Sequence, residues 1–268
     1  MAYSTSSRLP FGVVGVPQVG GAFDKFQMDA TPKYNLGFKV ESADGKVYRY
    51  SHFGDDVNRG VLVAQDLSES SVVDTDNAII DSASAVTTTD GLIKSKYVQL
   101  TLASITAGQL AGGVFITTDD AGEGYTYDIV GNTATNDPAT GDIRIELAQP
   151  LQVAVTSATD FCIMGNQYSN LEIATTTDAG IAGVTCATMD VSEAAWGWIQ
   201  TKGRVGILQD GTIAVGGIVT LSDGTSGAVQ ALAGGGTDVT DVISEPIVGF
   251  CTVAGDTGGH GGFVINLE

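Results

Sequence analysis

The residues able to do chemistry in this chain are few, and their spacing suits no familiar reaction. His52 stands beside Phe53 and His260 lies in the run GGHGG, far apart in sequence, so no HExxH and no paired zinc-ligand spacing occurs. Asp119, Asp120 and Glu123 lie close enough to gather around Ca²⁺, as do Asp74, Asp76 and Asn77. Neither set has the alternating loop and closing glutamate that a calcium loop requires, so both read as solvated turns. Gly122-Glu123-Gly124 lacks the third glycine and the following helix of a dinucleotide fingerprint. There is no P-loop lysine and no GxSxG elbow. Two of the 31 acids would have to converge in a cleft for glycoside hydrolysis, and no spacing marks such a pair. The expectation is a non-enzymatic chain with no catalytic residue, no cofactor and no metal.

Two other residue types carry information. Cys162, Cys186 and Cys251 stand singly in apolar, strand-like contexts without a CxxC, which reads as three reduced, buried thiols in a protein assembled in a cytosol. Trp196 and Trp198 stand two apart, so in a strand their rings share one face. A common core face is the expectation, with an exposed pair for sugar or a partner subunit as the alternative.

The elements that must position these residues are written as strands. Alternating apolar residues at Tyr125, Tyr127 and Ile129, at Ile143, Ile145 and Leu147, and at Leu151, Val153 and Val155 are separated by Gly, Asn, Asp and Pro clusters. Tyr34 to Phe53 runs up to Asp44-Gly45 and returns, the strongest hairpin signal in the chain. From Asn58 to Asp90 a polar stretch reads as a long connection holding one or two short strands. Strands are then expected at Leu92 to Leu102, Val114 to Thr117 and Phe161 to Met164, with one helical turn at Ile105 to Leu110. After Asn166 further strands are expected, among them Trp196 to Thr201, Arg204 to Leu208, Ile218 to Leu221, Ile247 to Val253 and Phe263 to Leu267. The fold class is therefore mainly β: an N-terminal extended arm and hairpin followed by two small β-sandwich or barrel modules. The divisions are 1–58 for the arm and docking hairpin, 59–165 for the first module and 166–268 for a glycine-rich second module.

Charge is uneven. Residues 1–60 carry a net charge of +1 and residues 61–268 a net of −20 within the total of −19. So acidic a body repels phosphate backbones, and nucleic acid is not an expected partner. No segment reaches the ~20 apolar residues of a membrane-spanning helix, the run FGVVGV at Phe11 to Val16 being much shorter, and MAYSTSSRLP holds no signal-peptide core. No membrane partner is expected. The first 20 residues contain no acid and a small apolar patch, too little for a core. They read either as a disordered tail or as an arm that adds to a neighbour's sheet. Its anchors would be Leu9, Phe11 and Val14, with Arg8 beside them. Lys39 and Arg49 of the hairpin are either ordinary exposed strand residues or contacts to an acidic shell.

The stretch GGVFITTDDAGEGYTYDIVGNT, with IRIEL, LQVAVTSATD, WGWIQTKG and the closing PIVGFCTVAGDTGGHGGFVINL, resembles virion structural proteins of tailed phages, marine ones especially. The resemblance runs from about Tyr34 to Leu267, and its motifs are those of packing and turns. It implies a decoration or cement protein on the phage head, assembled in the host cytoplasm, with the major capsid protein as partner and a homo-oligomer, a trimer, as the working form. Within the virion the alternative is a tail or head-fibre component contacting host glycans; outside it, a secreted β adhesin or carbohydrate-binding module.

Overall fold

The computed structural model describes residues 13–14, 23–65, 90–102, 105–135, 142–175, 180–232 and 246–268. They form an all-β protein in two curled antiparallel sheets, with no helix among the described residues. The chain divides into two compact units, one built from residues 1–66 and 168–268, the other from residues 67–167.

The first unit begins with β1 (Val13–Val14), β2 (Met28–Asp29), β3 (Lys39–Ser42), β4 (Val47–His52) and β5 (Leu62–Gln65). The second unit holds β6 (Tyr97–Thr101), β7 (Val114–Thr117), β8 (Thr126–Asn132), β9 (Asp142–Leu147) and β10 (Phe161–Met164). The chain then returns to the first unit with β11 (Leu171–Ile173), β12 (Ile181–Thr185), β13 (Trp196–Leu208), β14 (Ile218–Leu221), β15 (Val229–Ala231), β16 (Ile247–Val253) and β17 (His260–Asn266).

The arm and hairpin are not a separate docking segment followed by an independent C-terminal module. Tyr50 of β4 pairs with Trp198 of β13, so 1–58 and 166–268 share one sheet, and β5, which the sequence places in the 59–165 module, joins the same sheet through β11 and β12. The physical reason is burial: Tyr50, Leu62, Val63 and Ala64 are all fully buried and need those later strands to cover them.

Strand β13 is the spine of this unit. It reads as two strands in sequence but forms one of 13 residues, with a bulge between Gln200 and Lys202 where it faces β4. The bulge lets one strand serve β4 and β12 along its first half and β17 along its second. The path then continues through β16 and β14 to β15.

The second unit is a five-stranded sheet ordered β10-β7-β8-β9-β6. Its alternation is the one written in the sequence: Val98 faces Ile145 and Leu100 faces Ile143, all buried. Phe115 and Phe161 stack at 5.5 Å in the same core. Three expectations fail here. Leu151 to Val155 is not a strand, because only its two ends are buried, and their amides instead donate to the carbonyls of Ser95 and Gly91 at 2.8 and 2.9 Å. Ile105 to Leu110 forms turns and no helical turn, with Gly108 in the left-handed region at φ +79°. The strand expected from Leu92 starts only at Tyr97, since Lys94 also has positive φ.

Candidate interaction surface

The hairpin β3–β4 forms around Asp44-Gly45 as its sequence dictates. The Gly45 amide donates to the Ser42 carbonyl at 2.9 Å, and Gly45 sits at φ +81°, where a side chain would be strained. Strand β3 lies next to last on its side of the sheet, and the outermost position is taken by β1. Val13 pairs with Ser42 and Val14 with Glu41. Two residues of the arm thus add to the chain's own sheet edge. Arg8, Leu9 and Phe11 lie outside the described residues, and Val14 is placed by this backbone pairing.

Lys39 and Arg49 stand directly opposite each other in the hairpin, a repulsive pair by themselves. Glu268 resolves it. Arg49 donates from Nε to Glu268 Oε1 at 3.0 Å and from Nη2 to Oε2 at 2.9 Å, and from Nη1 to the Gly37 carbonyl at 3.0 Å. Lys39 Nζ reaches the same carboxylate at 3.6 Å and Glu41 at 3.7 Å. The Thr201 hydroxyl donates to Glu268 Oε1 at 2.7 Å. The Arg49 fork holds the Glu268 carboxyl down at about 2 against the opposing effect of burial, with Thr201 and Lys39 adding to it. The guanidinium of Arg49, which also lies 5.4 Å from the Tyr168 ring centre, is therefore engaged within the chain. Lys39 keeps a more exposed side chain.

Trp196 and Trp198 do share one face, and it is a core face. Trp198 is 3% exposed, edge-on to Tyr50 at 5.1 Å and to Phe23 at 4.9 Å, with Tyr34 and Phe38 around it. Trp196, half-buried, stacks on Tyr50 at 5.8 Å and lies 4.8 Å from His52, whose pKa burial lowers. A buried carboxylate anchors this nest. Asp29 accepts the Tyr50 hydroxyl at 2.8 Å and the Gln27 amide at 2.9 Å, and forms an ion pair with Lys33. Trp198 Nε1 has no hydrogen-bond partner, the one such buried side-chain atom among the described residues. Cys186 packs against the nest, where burial pushes its thiol up to about 12. Of the three cysteines expected to be buried, only Cys251, in the neighbouring core, is fully so, while Cys162 and Cys186 are partly buried; none forms a disulfide.

Asp119, Asp120 and Glu123 occupy an exposed turn, with the Asp120 amide donating to Asp119 Oδ1 at 2.7 Å and the Glu123 amide to the Asp120 carbonyl at 3.2 Å. Asp74, Asp76 and Asn77 lie outside the described residues. Among the described residues no three metal-ligating side chains gather at one point. His260 approaches the Arg59 carbonyl at 3.4 Å, in a different part of the unit from the nest that holds His52. An open depression of about 460 Å³ is lined by Asp55, Asp56, Glu172, Ile173, Val191 and Ser192, and Asp56 is already used there in accepting the Val191 amide at 2.8 Å.

Sequence reasoning missed two partners: Glu268 for Arg49, and Asp29 for Tyr50. Both carboxylates sit in polar contexts that give no periodic signal, and only the topology brings them in. No family model matches the chain, and no curated protein and no solved structure matches it either.

Proposed function

We propose that this chain is a non-enzymatic structural protein of a tailed-phage virion, a decoration or cement protein that binds the outer surface of the head and works as a homo-oligomer. The observation that carries the reading is the strand β1 on the outer edge of β3: within the chain the acid-free arm pairs with this edge, and the same pairing made on a neighbouring subunit would join the two. The residues behind the phage-like motifs go into packing and turns, as a scaffold demands: Phe115, Tyr127, Ile145, Trp198 and Phe263 are core, and Gly122 and Gly124 turn the chain at positive φ. Lying across junctions between shell subunits, such a protein adds buried contacts that internal DNA pressure must break.

The burial of Trp198 weighs against the glycan-binding fibre reading, which needs an exposed aromatic pair. The experiment is quantitative mass spectrometry of purified virions split into heads and tails. A fixed, large ratio to the major capsid protein in heads is the expected result, with head binding lost on deleting residues 1–20. A few copies in tails would favour the fibre, and absence from both fractions overturns the virion assignment.

A further inference from the structure

The outer face of the first unit carries an apolar row that its own core does not use. Across β14, β16, β17 and β13, Ile218 pairs with Phe250, Phe250 with Val264 and Val264 with Arg204. Residues opposite one another in antiparallel strands share a face, so these four form one line. Ile218 is 48% exposed and Phe250 46%, and beside them Ile247 and Val253 are more open still. The line ends in cations. Arg204 is exposed, Lys202 precedes it on the same face, and neither side chain has an ion-pair or hydrogen-bond partner among the described residues. The lysines and arginines of the hairpin, Lys39, Lys46 and Arg49, by contrast, are all paired. Contiguous exposed apolar surface of this kind marks an interaction site.

The second unit presents a complementary row. Met164 of β10 pairs with Val114 of β7, and Val114 pairs with Asp128 of β8. Met164 is 57% exposed, and the neighbouring Val130 is 54% exposed; Asp128 is exposed, with Oδ2 accepting the Gln149 side-chain amide at 2.9 Å and Oδ1 without a hydrogen-bond donor among the described residues. This line is apolar at one end and acidic at the other. Strands in both sheets lie about 4.8 Å apart, so Met164, Val114 and Asp128 have the spacing of Phe250, Val264 and Arg204, and Ile218 extends the first row by one strand.

We infer that the Ile218–Phe250–Val264–Arg204 row of one copy docks on the Met164–Val114–Asp128 row of a second copy. A two-fold contact of the first row with itself is disfavoured, because the row contains no acid for Arg204 or Lys202 to meet. Contact between two different faces is head-to-tail, and it closes into a ring when the rotation permits. The inference rests on the homo-oligomer of the proposed function and names the surface that builds it, yet it is tested on the isolated chain, so its failure leaves the virion assignment to the mass-spectrometric count.

The test is sedimentation velocity of the full chain from micromolar to millimolar, beside the variants Phe250→Glu, Val253→Glu, Arg204→Glu, Asp128→Arg and the combined Arg204→Glu/Asp128→Arg. The expected result is a concentration-dependent oligomer that Phe250→Glu and Val253→Glu abolish with an unchanged thermal melt. Each single charge reversal weakens association about tenfold or more, and the combined reversal restores it. A chain that stays monomeric at millimolar concentration overturns the inference. So does an oligomer indifferent to both glutamate substitutions, and failure of the combined reversal to restore association overturns the head-to-tail pairing.

Discussion

Arg49 and Glu268 are 219 positions apart in sequence and meet in a two-pronged ion pair, Nε to Oε1 at 3.0 Å and Nη2 to Oε2 at 2.9 Å. The pair ties the edge hairpin to the segment that follows β17, with Thr201 of β13 as third partner. Both side chains are only about a fifth to a quarter exposed, at 19% and 24%.

Glu268→Gln is expected to cost about 1–2 kcal/mol at pH 7, the worth of a charge-assisted hydrogen-bond pair reduced by its partial contact with water. Because the folded carboxyl sits at about 2 against an ordinary 4.5, the stabilisation is complete above about 4.5 and is lost as pH falls toward 2. Urea midpoints of the parent and the variant should therefore converge across that window. Equal midpoints at pH 7 would show the pair to be idle.

In the aromatic nest three substitutions should rank in order. Trp198→Phe removes a buried donor without a partner and is expected to cost less than about 1 kcal/mol. Tyr50→Phe takes a hydrogen bond from buried Asp29 and from the Lys33 amide, at about 1–3 kcal/mol. Trp198→Ala opens the core and costs about 3–5 kcal/mol. Denaturant titration of the three variants checks the ranking, and a Trp198→Phe cost above that of Tyr50→Phe would contradict it.

A Cβ on Gly249 would run into the backbone carbonyl of Val264, well inside contact distance, whereas one on Gly206 meets nothing nearer than the Gly261 oxygen at 3.8 Å. Gly249→Ala is therefore expected to lose about 1–3 kcal/mol through overpacking against a backbone that cannot step aside. Gly206→Ala should stay within about 0.5 kcal/mol of the parent. Thermal melts of the two variants make the comparison.

In the second unit Arg144 donates from Nε to Asp90 Oδ2 at 2.7 Å and from Nη2 to Oδ1 at 2.9 Å, while its guanidinium covers the Tyr97 ring at 3.8 Å. The Asp90 side chain is 1% exposed. Asp90→Asn leaves Arg144 without its buried carboxylate partner and is expected to cost about 2–3 kcal/mol, less than a fully buried pair because the Arg144 side chain is 38% exposed. Hydrogen exchange in β6 and β9 should accelerate accordingly, and unchanged protection there would refute the assignment.

Local grammar carried well from sequence to structure. The turn at Asp44-Gly45 and the strands Val114–Thr117, Phe161–Met164, Ile218–Leu221 and Ile247–Val253 were all legible, because hairpin turns and short apolar runs are decided by near neighbours. What failed was decided at long range. Leu151 to Val155 has strand alternation but spends its amides on the turn around Gly91 and Ser95. The bulge at Thr201 hides in a sequence that looks like two strands, and Val248 and Thr252 lie where β16 slips register, which gives its exposed residues a period of three. No spacing rule joins Arg49 to Glu268. The shared face of Trp196 and Trp198 was legible from period two alone, whereas the apolar row outside β14 and β16 shows only once the register is known.

The pairing of Leu171 with Gln65 means that the chain leaves and re-enters the sheet of the first unit at two neighbouring strand ends. The polypeptide leaves β5 and comes back on its antiparallel neighbour β11, so the whole of residues 67–167 occupies the place of a hairpin loop. A short Asn-Gly turn meets the geometric demand of that exit and return as well as a folded domain does.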